Sequence, residues 1–347
     1  MPTSYYIPIV ILYLFGLLNL IGVRGDLVPS YLTFFGVGLI IFLIIRYFQV
    51  QKHFFRQNTT VFYWIFILFL ILTHFFGSEI KGSKRWIDLY FFQLQTSEIF
   101  KIFFVAQLAN ILSSVKSPIE NSRLFIKTVF YTLIPFLLIF TQPDLGSSLI
   151  ILLVFFVLVL LSTVPKKQIF GLIGLIIALL PLLWFTLKDY QQSRVLSFVN
   201  PSVDVSGASY NMTQAKIAIG SGTLLGKGLG LGKQSQLNFL PEFHTDFAFS
   251  SLVEQFGFVG GVLVILLYMI LFFLLFYRMA SSLYSDDADV RYRFFYLLGF
   301  STLLIIQTSI NIGMNLGLLP VAGITLPFIT YGGSSLITFM IGLALIP

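Results

Sequence analysis

Ten apolar runs follow one another along the chain, and this pattern constrains the fold more than any other feature. A helix crosses the hydrocarbon core of a bilayer with about 20 predominantly apolar residues. The runs cover 5–23, 31–46, 60–77, 97–113, 126–141, 146–163, 169–187, 247–277, 294–313 and 332–347. Hydrophobic residues make up 57% of the chain and charged residues 10%, whereas a soluble domain carries about 25% charged residues. We therefore predict an all-α integral membrane protein with about ten transmembrane helices, in a single polytopic membrane domain over 1–347.

The distribution of Lys and Arg predicts the orientation. With the N-terminus inside, the inner loops hold eleven basic residues and the short outer loops hold four, so the positive-inside rule favours two cytoplasmic termini. The large loop between helices 7 and 8, residues 188–246, is then extracytoplasmic, as is the Gly/Pro-rich stretch 313–335. No Lys or Arg precedes the first run, so we expect a retained helix rather than a signal peptide.

Several chemistries are excluded or disfavoured. The chain has no Cys, which excludes disulfides and thiolate chemistry, and its three His lack metal-ligand spacing. The net charge of +7 fits cytoplasmic loops and anionic lipid, so no nucleic-acid partner is expected. The Gly-rich run from Gly220 to Gly232 does not match a phosphate-binding loop, because Ser221 and Gly228 occupy two required positions. This run favours flexible backbone that turns or closely approaches a surface.

Two carboxylates stand at the start of the eighth apolar run. Spacing alone favours Thr245 or Asp246 as the N-cap of that helix. Alternatively, Asp246 is a carboxylate at the outer membrane boundary among phenylalanines, where partial desolvation suits it to accept a proton. Glu254 lies about 12 Å further along the same helix, either facing a cavity or making a structural hydrogen bond.

Charged residues near the predicted extracytoplasmic ends of other helices also have two interpretations each. Glu98 and Lys101 share one helix face, either as an ion pair in a polar cavity or with Lys101 extending to the interface. Arg85, beside Trp86, offers a planar fork for pyrophosphate or anionic lipid, unless the patch is an interfacial anchor. Asp144 follows a Pro at a tight turn, where bonding to its own backbone is favoured.

Six motifs, in this order along the chain, resemble the SEDS family (shape, elongation, division and sporulation). They are Gly82–Asp88, Thr96–Lys101, Gln142–Gly146, Arg194–Pro201, Leu240–Phe247 and Pro327–Ser335. Departures are small: Thr96 stands where Pro is usual, Thr330 where Ser is usual, and Gln255 where an acidic residue is common. Gly-Lys-Gly followed by Gln234–Leu240 is more similar to the elongation branch, RodA, than to the division branch, FtsW.

The resemblance implies a peptidoglycan glycosyltransferase of the bacterial cytoplasmic (inner) membrane with an extracytoplasmic active site. Such proteins polymerise lipid II, the undecaprenyl-pyrophosphate-linked disaccharide-pentapeptide, into glycan strands with a class B penicillin-binding protein, the transpeptidase, as partner. The transfer we expect is inverting and serves cell elongation. Two alternatives remain: a lipid II flippase, and a non-catalytic scaffold that activates a transpeptidase partner.

The resemblance also implies roles for individual residues. Asp246 would be the catalytic carboxylate, acting as general base. Ten residues would bind substrate: Arg85, Glu98, Lys101, Asp144, Arg194, Glu242, His244, Thr245, Ser334 and Ser335. A divalent cation, Mg or Mn, is a candidate cofactor whose ligands are unassigned, and no organic cofactor is expected.

Overall fold

The computed structural model describes residues 4–52, 54–80, 83–88, 93–114, 121–200, 207–282 and 287–347. Gly82 and Pro201, the ends of two motifs, lie outside these ranges. The helices are α1 (Tyr6–Val23), α2 (Val28–Lys52), α3 (Phe54–Gln57), α4 (Thr59–Phe76), α5 (Thr96–Ser113), α6 (Asn121–Thr141), α7 (Leu145–Leu160), α8 (Lys166–Trp184), α9 (Asp189–Val199), α10 (Ala208–Ser221), α11 (Lys233–Gln236), α12 (Ala248–Ala280), α13 (Ala288–Asn315) and α14 (Gly333–Ala344). The strands are β1 (Ser78–Ile80), β2 (Ser83–Asp88) and β3 (Gln93–Gln95).

Each predicted apolar run corresponds to a helix. Within the described ranges, seven helices are long and apolar enough to cross a membrane, and α7 and α14 are shorter apolar helices. α5 completes the set; it contains the charged residues Glu98 and Lys101 and is buried along almost its whole length. The prediction of an all-α membrane protein is confirmed, and the chain is a multi-pass membrane protein.

Local structure within the loops 77–95 and 188–246 was not predicted from the sequence. After α4 the chain forms a three-stranded antiparallel sheet in the order β1-β2-β3, with Glu79 opposite Lys84 and Trp86 opposite Gln95. The loop 188–246 contains α9, α10 and α11. Strands of three to six residues are too short to show a clear alternating pattern, and their pairing depends on residues distant in sequence.

The chain divides into two compact units. Unit 1 comprises Met1–Val37, Asp189–Leu275 and Leu304–Leu336, and unit 2 comprises Gly38–Lys188, Phe276–Leu303 and Ile337–Pro347. The organisation as a single polytopic domain stays a prediction. In unit 2, α4, α5, α6 and α7 pack together. A core of unit 1 combines α1, α10 and the segment before α12; it consists of Val23, Met212, Ala215, Ala218, Leu240, Phe243, Phe247 and Val321.

A break in α12 organises unit 1. Gly257 has φ 71° and ψ −171°, a conformation open only to glycine without strain. The Gly-rich run lies against this break and supplies the backbone partners that the interrupted helix lacks. Four hydrogen bonds join them: Phe258 N to Thr223 O (2.9 Å), Val259 N to Leu224 O (3.1 Å), Lys227 N to Glu254 O (2.9 Å) and Gly228 N to Gln255 O (3.1 Å). The close approach expected of this run is confirmed.

Candidate active site

Asp246 lies in unit 1, in the turn that leads into α12. The turn is closed by the carbonyl oxygen of Glu242 (φ 55°), which accepts hydrogen bonds from Thr245 N at 3.1 Å and Phe247 N at 3.0 Å. The Thr245 hydroxyl donates to Glu242 Oε2 at 2.8 Å. Phe243 and Phe247 are buried on either side, whereas Asp246 is half-buried. The buried phenylalanines therefore fix the turn and leave Asp246 partly accessible.

Two asparagines of α13 hold the backbone at Asp246, and the sequence analysis did not identify them. Asn311 Nδ2 and Asn315 Nδ2 each donate to the Asp246 carbonyl oxygen at 3.1 Å. Asn315 Oδ1 also accepts from Ser250 N at 3.0 Å, so this asparagine caps an N–H group of the first turn of α12. Buried Asn at i,i+4 in an apolar helix is costly unless it is hydrogen-bonded, and this spacing was the available signal.

Arg194 and Asp246 approach the same point beside Gly323. A Cβ placed on Gly323 (φ 64°) would lie 3.6 Å from Arg194 Nη1 and 3.7 Å from Asp246 Oδ2. Arg194 comes from α9, where its guanidinium lies 5.7 Å from the Tyr190 ring centroid. Arg194 and Asp246 therefore border the same point, and the roles expected of them stay predictions. A guanidinium in this location can stabilise negative charge on the carboxylate or on a bound phosphate.

The other unit 1 residues predicted to bind substrate lie in or against the stretch that follows α13. The His244 carbonyl oxygen accepts from Tyr331 N at 3.0 Å, and the two rings are 5.9 Å apart. Thr325 Oγ1 donates to Ser335 Oγ at 2.8 Å, and Ser334 is buried beside it at the start of α14. Ser335 thus stabilises this stretch, and contact of either serine with substrate stays a prediction.

In unit 2, Glu98 and Lys101 form an ion pair. Lys101 Nζ lies 2.6 Å from Glu98 Oε1, and the side chains are only 1% and 7% exposed. The expected ion pair is confirmed, and the alternative in which Lys101 extends to the interface is wrong. Within the described part of the chain, Glu98 Oε2 has no hydrogen-bond partner. A buried carboxylate oxygen in this state can accept a donor from a ligand or water.

Asp144 connects four elements of unit 2. Its Oδ1 accepts from Ser147 N at 3.1 Å as the N-cap of α7, so the expected bond to its own backbone is confirmed. Its Oδ2 accepts from Gln95 Nε2 at 3.1 Å and from Ser97 Oγ at 3.0 Å. Arg85 of β2 approaches Oδ1 at 3.6 Å. These contacts fix the sheet against the N-terminal ends of α5 and α7.

The pKa of Asp144 reflects two opposing effects. Burial by itself raises the pKa of this carboxyl group, whereas the Arg85 charge and the hydrogen bonds from Ser147 lower it. The net shift is downward from the ordinary value, so Asp144 is held ionised. Because its oxygens already accept protein donors, Asp144 positions Arg85, and direct binding of substrate by either residue stays a prediction.

Glu254 makes structural hydrogen bonds. Its carboxylate is buried and accepts from Gln234 N at 2.8 Å, Ser235 N at 3.2 Å and Ser235 Oγ at 2.8 Å. A Cβ on Gly232 would lie 2.6 Å from Glu254 Oε2, so the chain approaches the carboxylate closely. The structural interpretation of Glu254 is confirmed, and its partners belong to the short helix α11 within the loop 188–246.

The described residues do not by themselves complete a metal site. Among them, no three His, Asp or Glu side chains lie together. Mg²⁺ is commonly held by one or two carboxylates together with substrate phosphates, and Asp246 could supply one such carboxylate. The divalent cation stays a prediction, and no step below depends on it.

These features define a class: a polytopic α-helical membrane protein with a half-buried carboxylate beside an arginine at the end of a broken helix. The FtsW/RodA/SpoVE family model, described as "cell cycle protein", matches residues 9–347. The chain therefore belongs to this family, which confirms the resemblance inferred from the six motifs.

Relatives and solved structures agree. The chain is 36% identical over 313 residues to the peptidoglycan glycosyltransferase MrdB of Escherichia coli (strain K12), covering 89% of this chain and 82% of that one. It is 36% identical over 305 residues to the probable peptidoglycan glycosyltransferase FtsW of Buchnera aphidicola subsp. Acyrthosiphon pisum (strain APS), covering 88% and 74%. The rod shape determining protein RodA of Thermus thermophilus matches with a TM-score of 0.72 and 26% identity over 99% of this chain and 94% of that one. A chain of a peptidoglycan synthase complex, described as coordinating polymerization and crosslinking, matches with a TM-score of 0.80 and 29% identity over 99% and 95%.

Proposed function

We propose that this chain is a peptidoglycan glycosyltransferase that polymerises lipid II into glycan strands during cell elongation, with Asp246 as the general base. One observation carries the proposal: in a member of this family, a half-buried carboxylate and the guanidinium of Arg194 border the same point beside Gly323. The pairing supplies a proton acceptor and a positive charge side by side, which are the two groups that transfer from a pyrophosphate donor requires.

The proposed reaction is an inverting glycosyl transfer. Asp246 accepts the proton of the acceptor hydroxyl while that oxygen bonds to the anomeric carbon of the donor. The bond from this carbon to the pyrophosphate oxygen breaks, and the pyrophosphate leaves with the bonding electrons. Arg194 then stabilises the developing negative charge. The asparagines that bind the Asp246 carbonyl oxygen hold the carboxylate in position, so little reorganisation accompanies the reaction.

The membrane orientation and the partner belong to the same proposal. The excess of basic residues in one set of loops supports cytoplasmic termini and an extracytoplasmic site, where the headgroup of a lipid-linked substrate would lie at the interface. A match to a chain from a complex that coordinates polymerization and crosslinking supports a class B penicillin-binding protein as the transpeptidase partner.

The test is glycan polymerisation from lipid II by the purified protein with its transpeptidase partner, comparing wild type with Asp246→Asn. A matched control is Asp26→Asn, which removes an exposed carboxylate that forms an ion pair with Arg24 at 2.9 Å. We expect Asp246→Asn to lose about 10²–10⁴-fold in rate, the usual contribution of general base catalysis, and Asp26→Asn to retain wild-type activity.

Two other outcomes would contradict the proposal. Activity retained in a folded Asp246→Asn protein would remove this carboxylate from the chemistry. Wild-type protein that pairs with its partner and yields no polymer would favour a flippase or a scaffold. Co-purification of each variant with the partner separates loss of chemistry from loss of the complex.

A further inference from the structure

Four leucines of the Gly-rich run point away from the protein. They are Leu224, Leu225, Leu229 and Leu231, with exposures of 69%, 80%, 48% and 68%. These residues lie within eight positions of one another, in a segment whose backbone is fixed by hydrogen bonds to α12. A rigid segment that exposes several leucines marks a contact with a membrane or with another protein. The depth of this segment relative to the bilayer distinguishes a membrane contact from a protein contact.

The length of α12 gives a first estimate of the depth of this segment in the bilayer. Residues 258–278 follow the break, and Arg278 stands near the far end of the helix. These 21 residues rise about 32 Å at 1.5 Å per residue, close to the hydrocarbon thickness of about 30 Å. With Arg278 at one boundary of the bilayer, the break and the leucine-bearing segment bonded to it are therefore level with the opposite boundary.

α1 provides an independent measure. This apolar helix ends at Val23 and is followed by the exposed ion pair of Arg24 and Asp26, so the bilayer boundary lies at its end. A Cβ on Gly22 would lie 2.9 Å from Gly230 N, which places the segment beside the last turn of α1. The lengths and ends of α1 and α12 therefore both place the leucine-bearing segment at the same boundary of the bilayer.

The charges of the segment suit this location. Lys227 and Lys233 are exposed and alternate with the leucines, and the segment from 223 to 233 contains no acidic residue. Loops and helices that lie in a membrane interface combine apolar side chains with Lys or Arg, whose ammonium or guanidinium groups reach the lipid phosphates.

We propose that residues 223–233 form a lipid-binding surface in the bilayer interface on the side of Asp246. The leucines enter the boundary between headgroups and acyl chains, and Lys227 and Lys233 contact the phosphates of bilayer lipids. Because this segment is hydrogen-bonded to α12 near Gly257, the contact also fixes the height of the helix that follows Asp246. The proposal concerns bilayer lipid and does not depend on the catalytic role of Asp246.

The test measures the depth of individual positions in vesicles. The chain contains no Cys, so a single introduced cysteine labels one site without further changes. Leu225→Cys is labelled with an environment-sensitive fluorophore in the full chain, which is reconstituted in phosphatidylglycerol–phosphatidylcholine vesicles. Quenching is measured with lipids brominated near the top of their acyl chains and, separately, with aqueous iodide.

Three further positions complete the design. Ile40→Cys, 59% exposed on α2, reports a lipid-facing site, and Asp26→Cys reports a water-exposed one. Leu231→Cys repeats the measurement within the segment if labelling at Leu225 perturbs folding. We expect the Leu225 label to be quenched by brominated lipid to an extent comparable with the Ile40 label, and to be protected from iodide relative to the Asp26 label.

Two results would overturn the proposal. Strong iodide quenching at Leu225 and Leu231 without quenching by brominated lipid would place the segment in water. Protection from iodide that appears only after the transpeptidase partner is added would assign the surface to that protein instead of to lipid.

Discussion

Because the Gly-rich run packs into the break of α12, we predict that a single methyl group added at Gly257 strongly destabilises the folded protein. At Gly257 the backbone has φ 71° and ψ −171°, an essentially glycine-only region where an L-residue is strained by about 1–3 kcal/mol. A Cβ there would fall well inside van der Waals contact with Gly226 N and Leu224 O. Both are backbone atoms held by hydrogen bonds and cannot move aside, so overpacking adds about 1–3 kcal/mol. We expect Gly257→Ala to lower the free energy of unfolding by about 2–6 kcal/mol.

The chain offers a control with the same chemical change and the opposite expected sign. Gly174 lies within α8, and a Cβ placed on it meets no atom within 4 Å. Replacing a helical glycine by alanine without a clash stabilises by up to about 1 kcal/mol. Unfolding is followed by tryptophan fluorescence in mixed micelles of dodecyl maltoside titrated with sodium dodecyl sulfate. Equal midpoints for Gly257→Ala and wild type, or equal shifts for the two variants, would refute the reasoning.

Two further predictions use the same titration. Glu254→Gln should lower the free energy of unfolding by about 1–3 kcal/mol, because the new amide group cannot accept hydrogen bonds from all the donors of α11. The control Glu79→Gln changes an exposed carboxylate and should alter the free energy of unfolding by less than about 0.5 kcal/mol. Similar losses in the two variants would contradict the structural role of Glu254. Asp144→Asn should destabilise at neutral pH, because the folded-state pKa of Asp144 lies below its ordinary value. That stabilisation is complete above the unfolded pKa of about 3.9 and is lost as the pH falls through the lowered folded-state pKa. The difference in stability between Asp144→Asn and wild type should therefore shrink as the pH falls below about 4. A difference that is independent of pH would contradict the shift.

Residue spacing predicted only the local part of the candidate site. The spacing of Glu98 and Lys101 places them on one helix face, and the structure contains their ion pair. Arg194 and Asp246 were brought together only by the family resemblance, since 52 positions separate them in the sequence. The roles of Asn311 and Asn315 were not predicted, because a buried amide does not reveal which carbonyl group it binds.

The sequence by itself determined the class of protein and the number of apolar helices. Both follow from composition and from the lengths of continuous apolar runs, which are local properties imposed by the thickness of a bilayer. It also determined the family, because six ordered motifs can be read without knowing the fold. What only the tertiary structure decided are the contacts between distant segments: the three-stranded sheet, the partners of Glu254, and the break at Gly257 within a continuous apolar run. A glycine in such a run fits an intact helix equally well, and a helix breaks there only when another segment satisfies the backbone groups that the break exposes.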